Sequence, residues 1–91
     1  MDRNLTQLMN IGNTSALWLH TIGIFTFEQL QTMGAVEAYI RIKERGIRTS
    51  KVLLYALHGA LTETHWSELS KETKQKLYSE ALERTRITDE A

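Results

Sequence analysis

Apolar side chains recur three and four residues apart along most of the chain, and glycines or short polar stretches separate the segments that carry this pattern. Such spacing places the apolar side chains on one face of an α-helix. The first segment predicts a helix over residues 14–22, with Asn13 as its N-cap and Gly23 as the left-handed residue after its end. Its apolar residues are Ala16, Leu17, Leu19 and Ile22.

The second segment carries the most complete local signal for a helix start. Thr26 is the predicted N-cap, and Gln29 three residues later completes a capping box. Phe25 before the cap and Leu30 within the helix form a predicted hydrophobic staple. Gly34 marks the end of this helix. These signals together predict the angle at which the chain enters the second helix.

Three further helices are predicted in the second half of the chain. Residues 35–44 are apolar over a wide arc, which is typical of a helix packed between neighbours. The fourth helix begins at Thr49 or Ser50 and continues through Gly59, where a glycine predicts close packing against another segment. The last helix begins at Ser70 and is amphipathic, so it is expected to cover one side of the core.

The connections and chain ends complete the predicted fold. Before the last helix, Trp66 and Leu69 are predicted core anchors. Residues 1–7 and 86–91 are expected to fray, because chain ends make few contacts. No strand pattern is present. We therefore expect a single all-α domain over residues 1–91, built from about five short helices.

Composition restricts the chemistry that this chain can perform. The 91 residues include 42% hydrophobic side chains, enough for one modest core, and no cysteine or proline. The lack of cysteine excludes disulfides, thiol catalysis and cysteine zinc sites. No apolar run approaches the roughly 20 residues of a membrane span, and the N-terminal stretch is unlike a secretory signal. A cytoplasmic, bacterial protein is the expectation.

The charge is zero in total but unevenly distributed. The segment 41–51 has a net charge of +4, whereas the segments on either side are each negative. A net charge of zero is not typical of a protein that binds nucleic acid strongly and without specificity. A local basic block, however, leaves contact with phosphates as an alternative. Alternatively, the cations only stabilise the C-terminal end of a helix, where the helix dipole is negative. The basic block consists of Arg41, Lys43, Arg45, Arg48 and Lys51.

A glycine-containing elbow precedes the first helix and is the second candidate for nucleic-acid contact. In DNA-binding helix-hairpin-helix units, the backbone amides of such a loop face a phosphate. Asn10 tolerates a positive φ, and Gly12 allows close approach. No Lys or Arg occurs between positions 3 and 41, so a tight structural turn is the alternative. The elbow candidates are Asn10, Ile11, Gly12, Asn13 and Thr14.

The remaining polar and aromatic residues give weaker indications. The three histidines lack the spacing and accompanying carboxylates of a metal site, so neither a metal nor another cofactor is expected. No catalytic motif is visible, and a non-enzymatic protein is the expectation. Trp18 departs from the apolar stripe of its helix and is therefore the candidate for a protein interface.

The order and spacing of several short segments resemble the C-terminal domain of the TfoX/Sxy family of competence regulators. The resemblance extends from about Leu8 to Leu82. It implies an all-α domain with a helix-hairpin-helix-like core. Many family members carry an N-terminal α/β domain that is missing here, so a stand-alone relative and an excised half are both open, and Met1 favours the stand-alone product. The resembling segments are NIG at 10–12, GIFTFEQL at 23–30, GAVEAYIRIK at 34–43, LLYALHGAL at 53–61 and HWSELS at 65–70.

The resemblance also implies a function in switching on DNA-uptake genes, as a co-activator of a transcription factor. Our hypothesis is a regulatory domain that binds DNA weakly or binds a DNA-bound regulator or RNA polymerase. The alternative is a protein–protein module without a nucleic-acid role. The two hypotheses differ in whether the basic block shares a face with the elbow, because only a shared face lets the two signals reinforce each other.

Overall fold

Five α-helices and two short 3₁₀-helices make up the computed structural model, which describes residues 5–85. The predicted all-α class is confirmed. The first 3₁₀-helix spans Leu5–Gln7 and the second Trp66–Glu68. The α-helices are α1 (Asn13–Thr21), α2 (Phe27–Met33), α3 (Ala35–Glu44), α4 (Lys51–Thr62) and α5 (Lys71–Arg84). None of these helices is long and apolar enough to cross a membrane.

Helix α3 lies at the centre of the fold, where it packs against α1, α2, α4 and α5. Its predicted bounds are confirmed, and six of its ten residues are buried, as the wide apolar arc predicted. Gly34 alone joins α2 to α3 and has a φ of +89°. A side chain is strained in this conformation, so glycine permits the direct change of direction between the two helices.

Side-chain caps fix three of the helix starts, as the sequence predicted. The Thr26 hydroxyl oxygen accepts a hydrogen bond of 3.1 Å from the backbone N–H of Gln29. The side-chain oxygen Oε1 of Gln29 accepts from the backbone N–H of Phe25, one residue further back than in a standard capping box. Ser50 caps α4 and Ser70 caps α5, with bonds to the N–H groups two and three residues later.

The predicted staple across the start of α2 has a different arrangement. Phe25 is 54% exposed, and its ring stacks on His20 with 4.8 Å between the ring centroids. Leu30 is fully buried in the main core. The contact with His20 therefore ties the start of α2 to the last turn of α1.

Two expectations about the core and chain ends need correction. Trp66 is only half-buried and stands outside the core cluster, whereas Leu69 packs against that cluster. The indole lies beside the His65 ring, with the centroids 6.2 Å apart. Fraying is wrong for residues 5–7, because Leu5 is 1% exposed and anchors the first 3₁₀-helix to the core. The expected fraying of residues 1–4 and 86–91 lies outside the described residues.

Candidate interaction surfaces

Asn10 connects the start of the chain to the far end of α4, and this role was not predicted. Its backbone has the positive φ that the sequence suggested, at +74°. Its side-chain NH₂ donates to the Thr64 carbonyl at 2.9 Å and to the Ala56 carbonyl at 3.4 Å. Its side-chain oxygen accepts from the backbone N–H of Trp66 at 3.2 Å. The side chain is therefore committed to holding the fold together and is not available to a phosphate.

Gly59 makes this bridge possible. A Cβ atom at position 59 would clash with the Thr64 carbonyl oxygen and with the side-chain nitrogen of Asn10. The predicted close approach at this glycine is thus confirmed, and its cause is the passage of the Asn10 side chain over α4. We call the hydrogen-bonded group of Asn10, Thr64 and Trp66 the Asn10 clamp.

The rest of the elbow does not have the predicted geometry. Ile11 is buried in the core, with 5% exposure. Gly12 has φ −96° and ψ −173°, an extended conformation open to any residue, and a Cβ there would meet nothing within 4 Å. Gly12 is also the N-cap, without a side-chain bond, and the predicted cap Asn13 is instead the first residue of α1. Thr14 follows in the exposed first turn.

The five cationic side chains of the basic block lie in three different environments. Arg41 pairs with Glu37 at 2.9 Å, and Arg41 and Arg45 line one open groove beside α1. Lys43 and Lys51 lie over the rings of tyrosines. Arg48 alone lines a groove together with the elbow residue Asn10. Arg48 therefore adds a positive charge close to the elbow, whereas the basic block as a whole does not share a surface with it.

Both tryptophans line the groove that Arg48 enters, an open depression of about 380 Å³. Trp18 is half-buried and packs against the edge of the core, while Val52 is 40% exposed at the start of α4. Among the residues that the structure describes, Arg48 is the one charged residue of its lining. We call this depression, lined by Asn10, Ser15, Trp18, Arg48, Thr49, Ser50, Val52, Leu53, Ala56 and Trp66, the tryptophan groove.

The sequence suggested Trp18 as an interface aromatic but missed Trp66 as its companion. Trp66 lies 48 positions further along the chain, and its place depends on the Asn10 clamp. A half-buried tryptophan beside an arginine is a frequent combination at the energetic centre of protein interfaces. The only local signal for Trp66 was its position in a polar segment, HWSELS, which is unusual for a core residue.

The histidines are dispersed and have structural surroundings. His20 stacks on Phe25, and His65 caps the second 3₁₀-helix by accepting from the N–H of Ser67 at 3.2 Å. His58 is half-buried on α4. Within residues 5–85, no three histidine, aspartate or glutamate side chains come together as a group able to hold a metal ion.

Comparisons with known proteins identify the kind of domain. The sequence model of the TfoX C-terminal domain family matches residues 1–81. A crystal structure of an uncharacterized protein from Listeria monocytogenes, in a triclinic form, is similar with a TM-score of 0.80 and 33% sequence identity. The alignment covers 94% of this chain and 100% of that one. No curated protein matches the chain.

Proposed function

This chain belongs to the TfoX C-terminal domain family, and from this membership and the tryptophan groove we propose that it is a non-enzymatic regulatory domain that contacts a DNA-bound transcription regulator. The family points to a competence-related regulatory role. The process served would be the activation of DNA-uptake genes, with a catabolite-type regulator or RNA polymerase as the protein contacted.

The tryptophan groove is the observation that carries this proposal. Its two indole rings offer large apolar areas that lose little conformational entropy on binding, while Arg48 can pair with a carboxylate. Such a lining fits a partner segment with one apolar anchor beside an acidic residue. Substitution of a central residue in such an interface commonly weakens binding by about 1–2 kcal/mol or more, which is roughly 5- to 30-fold.

The experiment measures binding of the purified full chain to a purified catabolite-type regulator and to RNA polymerase. Val52→Glu and Arg48→Glu should each reduce binding about tenfold, because they place a carboxylate where an acidic segment would bind. Leu82→Glu is the matched control for Val52, since Leu82 is similarly exposed, at 52%, but on α5. Arg45→Glu is the control for Arg48.

A competence-gene reporter in the same variants connects binding to function. The two groove variants should lower reporter activity, and both controls should leave it near the wild-type level. If the wild-type chain binds neither protein, or if groove and control variants lose binding equally, the proposed contact is wrong.

Weak direct DNA binding is the second route to the same regulatory role. Two side chains of the elbow do not support this route, because that of Asn10 is hydrogen-bonded within the clamp and that of Ile11 is buried. A protein–protein module without a nucleic-acid role is the remaining alternative. Two results together would favour that alternative. The groove would bind a protein that is not associated with DNA, and the groove variants would have no effect on transcription.

A further inference from the structure

Three lysines from three different helices lie over aromatic rings at the packed edges of α3, α4 and α5. The side-chain nitrogen of Lys43 is 5.5 Å from the ring centroid of Tyr39. That of Lys51, on α4, is 4.6 Å from the centroid of Tyr78 on α5. That of Lys74, on α5, is 5.7 Å from the Tyr55 ring of α4 and 5.3 Å from the Trp66 ring.

These contacts all involve helices that pack against one another. Lysines and rings are exchanged in both directions between α4 and α5. The Tyr39 ring of α3, which Lys43 covers, is itself buried with 4% exposure. Trp66 also borders the tryptophan groove. We call this surface, made of Tyr39, Lys43, Lys51, Tyr55, Trp66, Lys74 and Tyr78, the lysine–aromatic face.

The helices direct much of their negative charge away from this face. Helix α4 contains no acidic residue. On α5, Glu72 and Glu83 lie roughly 160–180° round the helix from Lys74, at about 100° per residue. They line the outer surface of α5 together with Glu80, which pairs with Arg84. The three lysines thus keep their positive charge next to neutral rings, while Arg41 and Arg84 are paired with carboxylates.

The aromatic rings also position the ammonium groups. A cation over a ring face is attracted by the negative side of the ring, and the lysine stem packs along the surface. Lys43 and Lys74 are accordingly half-buried. Burial raises the pKa of the Tyr39 hydroxyl, so this phenol stays neutral and adds no negative charge. Each ammonium keeps N–H donors for a ligand.

Apart from Trp66, which it shares with the tryptophan groove, this face suits phosphate groups better than a protein anchor. The large exposed apolar residues, which a protein partner would use, lie outside this face: Met9, Leu17, Phe25, Val52 and Leu82. Lysine is a compact point charge that binds phosphate without demanding a fixed orientation. We propose that the lysine–aromatic face contacts the backbone phosphates of duplex DNA without reading its sequence. The inference rests on the proposed function, in which the domain works beside a DNA-bound regulator.

Three phosphate contacts give a measurable dependence on salt. The logarithm of the binding constant should fall against the logarithm of the salt concentration with a slope of about −0.9 per contact, or about −2.7 for three. Between about 50 and 200 mM salt, the affinity for DNA would then fall roughly 40-fold. Fluorescence anisotropy with a short labelled duplex of arbitrary sequence measures this slope for the full chain.

Substitutions of the lysines test the site. Lys43→Gln, Lys51→Gln and Lys74→Gln should each weaken binding and make the slope shallower by about 0.9. The corresponding Lys→Arg variants keep the charge and should keep the slope. Lys76→Gln removes the same charge from the outer surface of α5 and should behave as the wild type. Circular dichroism of every variant checks that the helices are intact.

The results separate this inference from the proposed function. If the wild-type chain does not bind duplex DNA at about 50 mM salt, or if the triple Lys→Gln variant keeps the wild-type slope, the face does not contact phosphates. Loss of regulator binding with unchanged DNA binding in that variant would instead make the face a site for an acidic protein. Val52→Ala, which adds no charge beside Lys51, should leave DNA binding unchanged. Lys43→Gln, whose side chain lies over Tyr39 and outside the groove lining, should leave DNA-free regulator binding unchanged.

Discussion

Replacement of Asn10 should cost more stability than any other single polar substitution on the surface of α1 and its lead-in. The Asn10 side chain links the first residues of the chain to Thr64 and Trp66, more than 50 positions away. Asn10→Gly removes this clamp but keeps the left-handed backbone accessible. Asn10→Ala removes the clamp and also strains the backbone at a φ of +74°.

The magnitude follows from the three hydrogen bonds. Each typical bond contributes about 0.5–1.5 kcal/mol, and the 3.4 Å bond to the Ala56 carbonyl should contribute least. We therefore expect Asn10→Gly to lose about 2–3 kcal/mol. Asn10→Ala should lose about 0.5–1 kcal/mol more, because left-handed strain in alanine exceeds the entropy cost of glycine. For a domain of this size, 2–3 kcal/mol lowers the melting temperature by roughly 10–20 °C.

Urea unfolding followed by circular dichroism and tryptophan fluorescence measures these losses. The matched control is Asn13→Ala, because Asn13 is an exposed residue of the same type in the first turn of α1, and it should change stability by less than about 0.5 kcal/mol. If Asn10→Gly unfolds within about 0.5 kcal/mol of the wild type, the clamp is not a stabilising contact. If Asn10→Gly and Asn10→Ala are equal, the argument from backbone strain fails.

Three further substitutions test other contacts of the fold. Gly59→Ala should destabilise the chain by about 1–3 kcal/mol in urea, because the added Cβ collides with the Thr64 carbonyl, and a neutral effect would contradict this crowding. Gly12→Ser should stabilise it by about 0.5 kcal/mol, because Gly12 is an extended N-cap without a side-chain bond; a lower urea midpoint would refute the assignment. Burial raises the pKa of Tyr39 above its ordinary 10.0, so the unfolded chain releases this proton first and stability falls as the pH rises past that value. Tyr39→Phe should flatten this alkaline fall in the urea midpoint, and an unchanged slope would show that Tyr39 does not cause it.

Local sequence signals were sufficient for most of the secondary structure. The bounds of α3 agree with the prediction at both ends, because Gly34 and a wide apolar arc define the helix locally. Thr26 and Ser70 cap their helices as predicted, since a cap involves only residues two or three positions apart. The start of α1 was misplaced by one residue, because Asn13 and Gly12 are both acceptable caps and the sequence does not choose between them.

The candidate sites depended on contacts between distant segments. Asn10 and Gly59 were predicted for correct reasons, namely a positive φ and a close approach, but no local pattern predicts that the two residues meet. The basic block is continuous in sequence, yet a helix end and a loop direct its side chains to different surroundings. Side-chain direction changes by about 100° per residue in a helix, so adjacent charges need not share a face.

The lysines and tyrosines show most directly what each level decides. The sequence by itself places a lysine four residues from a tyrosine three times, at Tyr39 and Lys43, Lys51 and Tyr55, and Lys74 and Tyr78. Only the first pair forms within its own helix. The packing of α4 against α5 exchanges the other partners, so that Lys51 lies over the ring of Tyr78 and Lys74 over the ring of Tyr55. Local periodicity thus determined the helices, and the packing of one helix on another determined which side chains share a surface.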